Sequence, residues 1–165
     1  LHDKVPSGRE DNINYNRCTA DKLSRHFMET PHTLVFTTHI PIRWGDLDAF
    51  KHVNNTIYFR YMEQARVEWL EALDIPVEIA QDEGVILVNA SCTFLRPLTY
   101  PGTVECRVFV GPPGRSSLPT FYQMRRVGEE TLYAEGASKI VWINNSTGKS
   151  TPLPEKLRSL FNDCA

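Results

Sequence analysis

A chain of 165 residues that is 41% hydrophobic and 23% charged can bury one core and is too short for two comfortable ones. Its formal net charge of -2 and pI near 6.2 leave no electrostatic footprint for DNA or RNA, and no basic run is interleaved with aromatics. No apolar stretch approaches the roughly 20 residues that cross a bilayer, and the N-terminus lacks the order of a signal peptide, so we expect a cytoplasmic protein with no nucleic-acid and no membrane partner.

Residues 1–30 are polar and aperiodic, with Asp3, Lys4, Arg9, Glu10, Asp11 and Arg17 alternating in sign, and they read as a flexible N-terminal tail. Met28 is a candidate natural start. Residues 31–165 then form a single domain. Its first strand is Leu34–Ile42, rich in β-branched and aromatic residues; Pro41 cannot donate to a ladder, which favours an edge strand or a bulge at that end.

The next stretch, Arg43-Trp44-Gly45-Asp46-Leu47-Asp48-Ala49-Phe50-Lys51-His52-Val53-Asn54-Asn55, packs two carboxylates, an imidazole and paired amides between a strand and a helix. From Tyr58 the pattern turns helical: Tyr58, Met62, Ala65, Trp69 and Ala72 or Leu73 fall three to four apart and make one apolar stripe. Asn54 or Asn55 caps its start, and Asp74-Ile75-Pro76 closes it after about five turns. Ile57, Phe59, Tyr61 and Val67 widen the apolar surface and imply burial on more than one side.

Four extended runs follow, Val85–Leu98, Thr103–Val110, Leu118–Val127 and Thr131–Ile143, broken by Pro101-Gly102, Gly111-Pro112-Pro113-Gly114 and Gly128-Glu129-Glu130. Short connections of this kind predict a consecutive antiparallel meander. Pro154–Asn162 reads as a short terminal helix. Cys18, Cys92, Cys106 and Cys164 show neither a C-x-x-C pair nor zinc spacing, and we read them as free thiols with no nucleophile among them. Strand, long helix and four antiparallel strands make an α+β layer arrangement.

Trp44-Gly45-Asp46-Leu47-Asp48, His52-Val53-Asn54-Asn55, Tyr58, Tyr61, Glu63, Ala65 and Arg66 resemble the hotdog-fold acyl-CoA thioesterases of the 4-hydroxybenzoyl-CoA thioesterase family. Leu95-Arg96-Pro97-Leu98, Ser116-Ser117, Ala134-Glu135-Gly136 and Gly148-Lys149-Ser150-Thr151-Pro152 extend the likeness over about residues 35 to 160. The resemblance implies a long central helix wrapped by an antiparallel sheet of about five strands. It also implies hydrolysis of the thioester of a small-to-medium acyl-CoA, with no cofactor beyond the coenzyme A of the substrate. The aspartate at position 48 would be general base or nucleophile, and the backbone amide at position 55 would polarise the carbonyl.

Thioester attack builds negative charge on the carbonyl oxygen, and the first turn of a helix beginning near Asn55 offers free N–H groups and the positive end of the helix dipole. Asp48 in the preceding loop can then serve water as base or attack the carbon itself. Asp46 reads as an Asx-turn support, and His52 is a candidate catalytic group that orients Asp48 or contacts the thioester, against a hydrogen-bonded structural histidine. Asn54, Tyr58 and Glu63 are candidate substrate contacts, with capping, core packing and a solvated helix face as their competing roles. Arg96, Arg115, Ser116 and Ser117 are candidates for the coenzyme A phosphates, against a plain turn role. Some members of the resembled family carry Gly where Lys51 stands. They work as homodimers or as dimers of dimers with sites between subunits, in keeping with an exposed sheet edge here.

Two other classes stay open. One is a non-catalytic acyl-CoA-binding hotdog protein, against which an intact Asp48 counts. The other is a metal-dependent hydrolase using Asp46, Asp48 and His52; it needs a further acidic cluster that the sequence does not offer, and no metal ligand is assigned.

Overall fold

The computed structural model describes residues 32–75 and 82–161. The expected tail, Cys18, Cys164, Pro76 and the last residue of the expected terminal helix lie outside them. The chain runs β1 (Thr33–Pro41), a 3₁₀ turn (Trp44–Asp46), α1 (Asn55–Ala72), β2 (Glu83–Phe94), β3 (Thr103–Val110), β4 (Ser117–Arg126), β5 (Leu132–Asn144) and α2 (Glu155–Ser159). All five strands form one antiparallel sheet in the order β1-β3-β4-β5-β2.

The sheet order corrects the consecutive meander. β3, β4 and β5 do pair in succession, but β2 pairs with β5 at the far edge and not with β3. The reason lies in the connection: residues 95–102 form no strand and carry the chain from the β2 edge past β5 and β4 to β3, whereas a hairpin turn would have kept β2 and β3 adjacent. β1 is the other edge, so Pro41 ends a strand where its missing N–H costs least. The irregular register of β1 sits between Leu34 and Phe36, away from Pro41.

Alternation along β3 and β4 is strict, every second side chain being buried, and it points Val104, Cys106, Val108, Val110, Leu118, Tyr122 and Met124 toward α1. α1 answers with Tyr58, Tyr61, Met62, Ala65, Trp69 and Leu70. The contact is close at Gly136, where an added Cβ would meet Met62 Sδ and force that side chain to shift. Burial on more than one side holds for Tyr61, while Phe59 remains substantially exposed. At the far edge β2 leaves Ile86, Leu87, Val88 and Phe94 exposed.

Candidate active site

Between β1 and α1 the chain turns on a hydrogen-bonded loop whose ends, Ile42 and Val53, are buried in the core. Asp46 is its strut: Oδ2 accepts from the Arg43 amide at 2.8 Å and from the Tyr61 hydroxyl at 2.9 Å, while its carbonyl accepts from the Asn54 amide at 2.9 Å. Burial, and then the bond to the Asp46 carboxylate, push the Tyr61 phenol well above its usual pKa, so it stays a donor at neutral pH. Residues 47 and 53 form a single antiparallel bridge, and the Val53 amide donates to Leu98 O at 2.8 Å. The connection between β2 and β3 therefore holds the loop from the other side.

Asp48 stands at the head of this small hairpin. Its Oδ1 accepts from the Phe50 amide at 2.8 Å and the His52 amide at 3.2 Å, an Asx-type turn, and its backbone N–H donates to His52 O at 2.8 Å. Oδ2 has no hydrogen bond among the described residues. Lys51 takes φ 62, the left-handed region that costs a non-glycine residue about 1 kcal/mol, which is the position where the resembled family can carry Gly. Asn54 caps α1, its Oδ1 accepting from the Thr56 amide at 3.0 Å and the Thr56 hydroxyl at 2.8 Å. Asn55 is the first helical residue, and its amide donates to nothing among the described residues.

Asp48, His52, Asn54 and Asn55 thus share one loop and helix start. His52 enters through its backbone, and its side chain is exposed. Tyr58 is buried, its hydroxyl accepting from the Leu98 amide at 3.2 Å and its ring edge-on to Phe94 at 5.0 Å; it ties helix to loop from within the core. Glu63 is exposed about two turns below Asn55. Arg96 is exposed at the same end of the sheet, with its amide donating to Tyr133 O at 3.0 Å. Arg115, Ser116 and Ser117 lie at the opposite end, where Arg115 O accepts from Leu153 and Arg158. The eight residues of β3 separate this turn from Asp48 by about 25 Å.

Three features of the region have no local signature in the sequence. Tyr61 holds Asp46 across fifteen residues. Trp44 and Phe50, on either side of Asp48, are 77% and 80% exposed, so the loop presents apolar side chains to its surroundings. Two clefts flank α1. One of about 350 Å³ lies on the β1 side, walled by His39, Arg43, Asp46, Tyr61 and Glu68, with Glu68 accepting from the Thr38 hydroxyl at its base. The other, of about 170 Å³, lies between α1 and β2. Burial pushes the Cys92 and Cys106 thiols up to about 12, which leaves both protonated at neutral pH.

Chemically, this is a carboxylate fixed through one oxygen with the other open, set seven residues before an unengaged amide at a helix N-terminus. Known proteins share the framework. The Thioesterase-like superfamily matches residues 42–161. A Pseudomonas aeruginosa protein provisionally named a thioesterase is 40% identical in sequence and similar in structure with a TM-score of 0.74, over 76% of this chain and 97% of its own. The structure of a gentisyl-coenzyme A thioesterase is 26% identical with a TM-score of 0.67, over 76% of this chain and 99% of its own. A provisionally named esterase from Aquifex aeolicus is 27% identical over 124 residues, 74% of this chain and 94% of that protein. Because the match runs unbroken through the Asp48 loop, the helix and every later strand, the chain belongs to the thioesterase-like superfamily and is a hotdog-fold thioesterase of the 4-hydroxybenzoyl-CoA thioesterase family.

Proposed function

We propose that the chain hydrolyses the thioester of small-to-medium acyl-CoAs, with Asp48 as the reacting carboxylate and the Asn55 amide as oxyanion donor. The observation that carries this reading is that one loop and helix start holds both an Asp48 Oδ2 and an Asn55 N–H without hydrogen-bond partners among the described residues. In the general-base route Asp48 takes a proton from water as its oxygen bonds to the acyl carbon, and the carbonyl oxygen gathers charge against the Asn55 amide. Collapse breaks the C–S bond and releases coenzyme A, whose sulfur takes up a proton. In the nucleophilic route Oδ2 attacks first and water then cleaves the anhydride. The gentisyl-CoA thioesterase among the relatives supports coenzyme A as the carrier.

We further read the working unit as a homodimer joined at β2. Its exposed Ile86, Leu87, Val88 and Phe94 lie along an unpaired sheet edge. Antiparallel pairing of two β2 strands reverses the second copy, so its Arg115-Ser116-Ser117 turn would come to this copy's Asp48 end, within about 10 Å of the shared edge. That arrangement supports Arg96 from one copy and Arg115 from the other as phosphate ligands of coenzyme A. The free thiols Cys92 and Cys106 suit a reducing cytoplasm. The test is thiol release from a panel of acyl-CoAs of graded length, in buffer containing EDTA. We expect turnover of at least one; silence across the panel would refute the assignment.

A further inference from the structure

Thioester chemistry at Asp48 leaves one charged group without a role. Arg66 is partly buried on α1, and its Nη1 donates to the Tyr122 hydroxyl at 3.2 Å. That hydroxyl shares a neutral cluster with Ser138 Oγ at 3.1 Å and Thr120 Oγ1 at 3.2 Å, both fully or nearly fully buried. Among the described residues no carboxylate pairs with Arg66. A half-buried guanidinium whose one hydrogen-bond partner is a hydroxyl, with a single carboxylate, Glu63, shared with Arg60 across the same cleft, carries an electrostatic cost that an arriving anion reduces.

Arg66 and Ser138 line the cleft of about 170 Å³ between α1 and β2, whose walls include Phe59, Met62, Leu87 and Ala90. Arg60 and Glu63 also line it, so two guanidiniums face one carboxylate and the cleft is net positive. Its helical wall falls in line with the proposed oxyanion site, since Asn55, Phe59, Met62 and Arg66 recur at spacings of four, three and four and share one face of α1. From Asn55 to Arg66 is about 16 Å along the axis at 1.5 Å per residue, and helical side chains lean back toward the N-terminus. The volume equals about six waters at ~30 Å³ each, room for an acyl chain of about that many heavy groups.

We infer that the cleft between α1 and β2 is an acyl subsite in which Arg66, backed by Ser138, selects acyl groups ending in a carboxylate. The inference rests on the thioesterase reading and sharpens its substrate class. Guanidinium and carboxylate pair through two parallel N–H to O bonds, and Ser138 supplies a further donor. The apolar walls accept the methylene chain between the thioester and that terminus.

Hexanoyl-CoA and adipyl-CoA share a six-carbon chain and differ only in the terminal carboxylate, so thiol release from the two compounds tests the inference. Wild-type protein is expected to show a kcat/KM about tenfold or more higher for adipyl-CoA, the scale of one hydrogen bond to a charged group. Arg66→Gln should abolish the preference by lowering adipyl-CoA turnover while hexanoyl-CoA turnover changes little, and Arg66→Lys should restore part of it. Ser138→Ala, which keeps Arg66 and its fold contacts, should reduce the preference to a smaller degree. Equal kcat/KM for both compounds in the wild type, or equal losses on both in Arg66→Lys and Ser138→Ala, overturns the subsite while leaving thioester hydrolysis standing. Release from neither compound nor any other acyl-CoA overturns both.

Discussion

At the scale of single residues, the site depends on how a short loop is held. Asp46 accepts from Arg43 and Tyr61 on one oxygen, and its carbonyl fixes the helix cap Asn54, so a single residue sets both the loop and the start of α1. Tyr61→Phe removes the bond from the helix. We expect kcat to fall about tenfold with KM little changed, and stability to fall by only ~1 kcal/mol, the net worth of one hydrogen bond. Steady-state kinetics beside urea unfolding separates the two effects, and an unaltered kcat would show that the loop holds itself. The local part of this arrangement was legible in the sequence. The Asp-x-Asp spacing, the paired asparagines and the onset of helical periodicity all fall within sixteen residues. Tyr61 with Asp46, and Arg66 with Tyr122, were not legible, because the first pair meets only once the loop folds back along the helix and the second only once the sheet packs against it.

At the scale of elements, the contact between α1 and β5 is set by a missing side chain. Gly136 sits opposite Tyr122 and Cys92 in the sheet, and Met62 fills the space above it. Gly136→Ala forces a clash that only a shift of helix or side chain relieves, so we expect a loss of about 1–3 kcal/mol, the usual range for overpacking. Equilibrium unfolding measures it, and shortening Met62 in the same chain should recover part of the loss. Strand positions were readable because alternation marks a half-buried strand, and α1 was readable from its stripe, in agreement with Asn55–Ala72. Strand partners were not. An extended run says that β2 is a strand and nothing about its neighbour, and Pro101-Gly102 looks like a hairpin turn although residues 95–102 carry the chain past β5 and β4 to β3.

For the whole molecule, the question is why one chain holds Asp48, the proposed reacting carboxylate, and its Arg115-Ser116-Ser117 turn about 25 Å apart. The proposed pairing of two β2 edges would reconcile that separation and would cover apolar side chains exposed there. Val88→Glu sets like charges against each other at that edge. We expect the mass in solution, by light scattering, to fall to that of one chain and the activity to fall with it; a single-chain enzyme at full rate would remove the second copy from the site.

The most direct measurement for the account as a whole is the turnover of Asp48→Asn on the best acyl-CoA of the panel, with the far-ultraviolet circular dichroism recorded alongside. The amide oxygen still accepts from Phe50 and His52, so the loop should persist while the side chain can act neither as base nor as nucleophile. The account predicts a rate lower by about 10²-fold or more on an unchanged fold, the scale of a lost general base. Undiminished turnover by Asp48→Asn would contradict it.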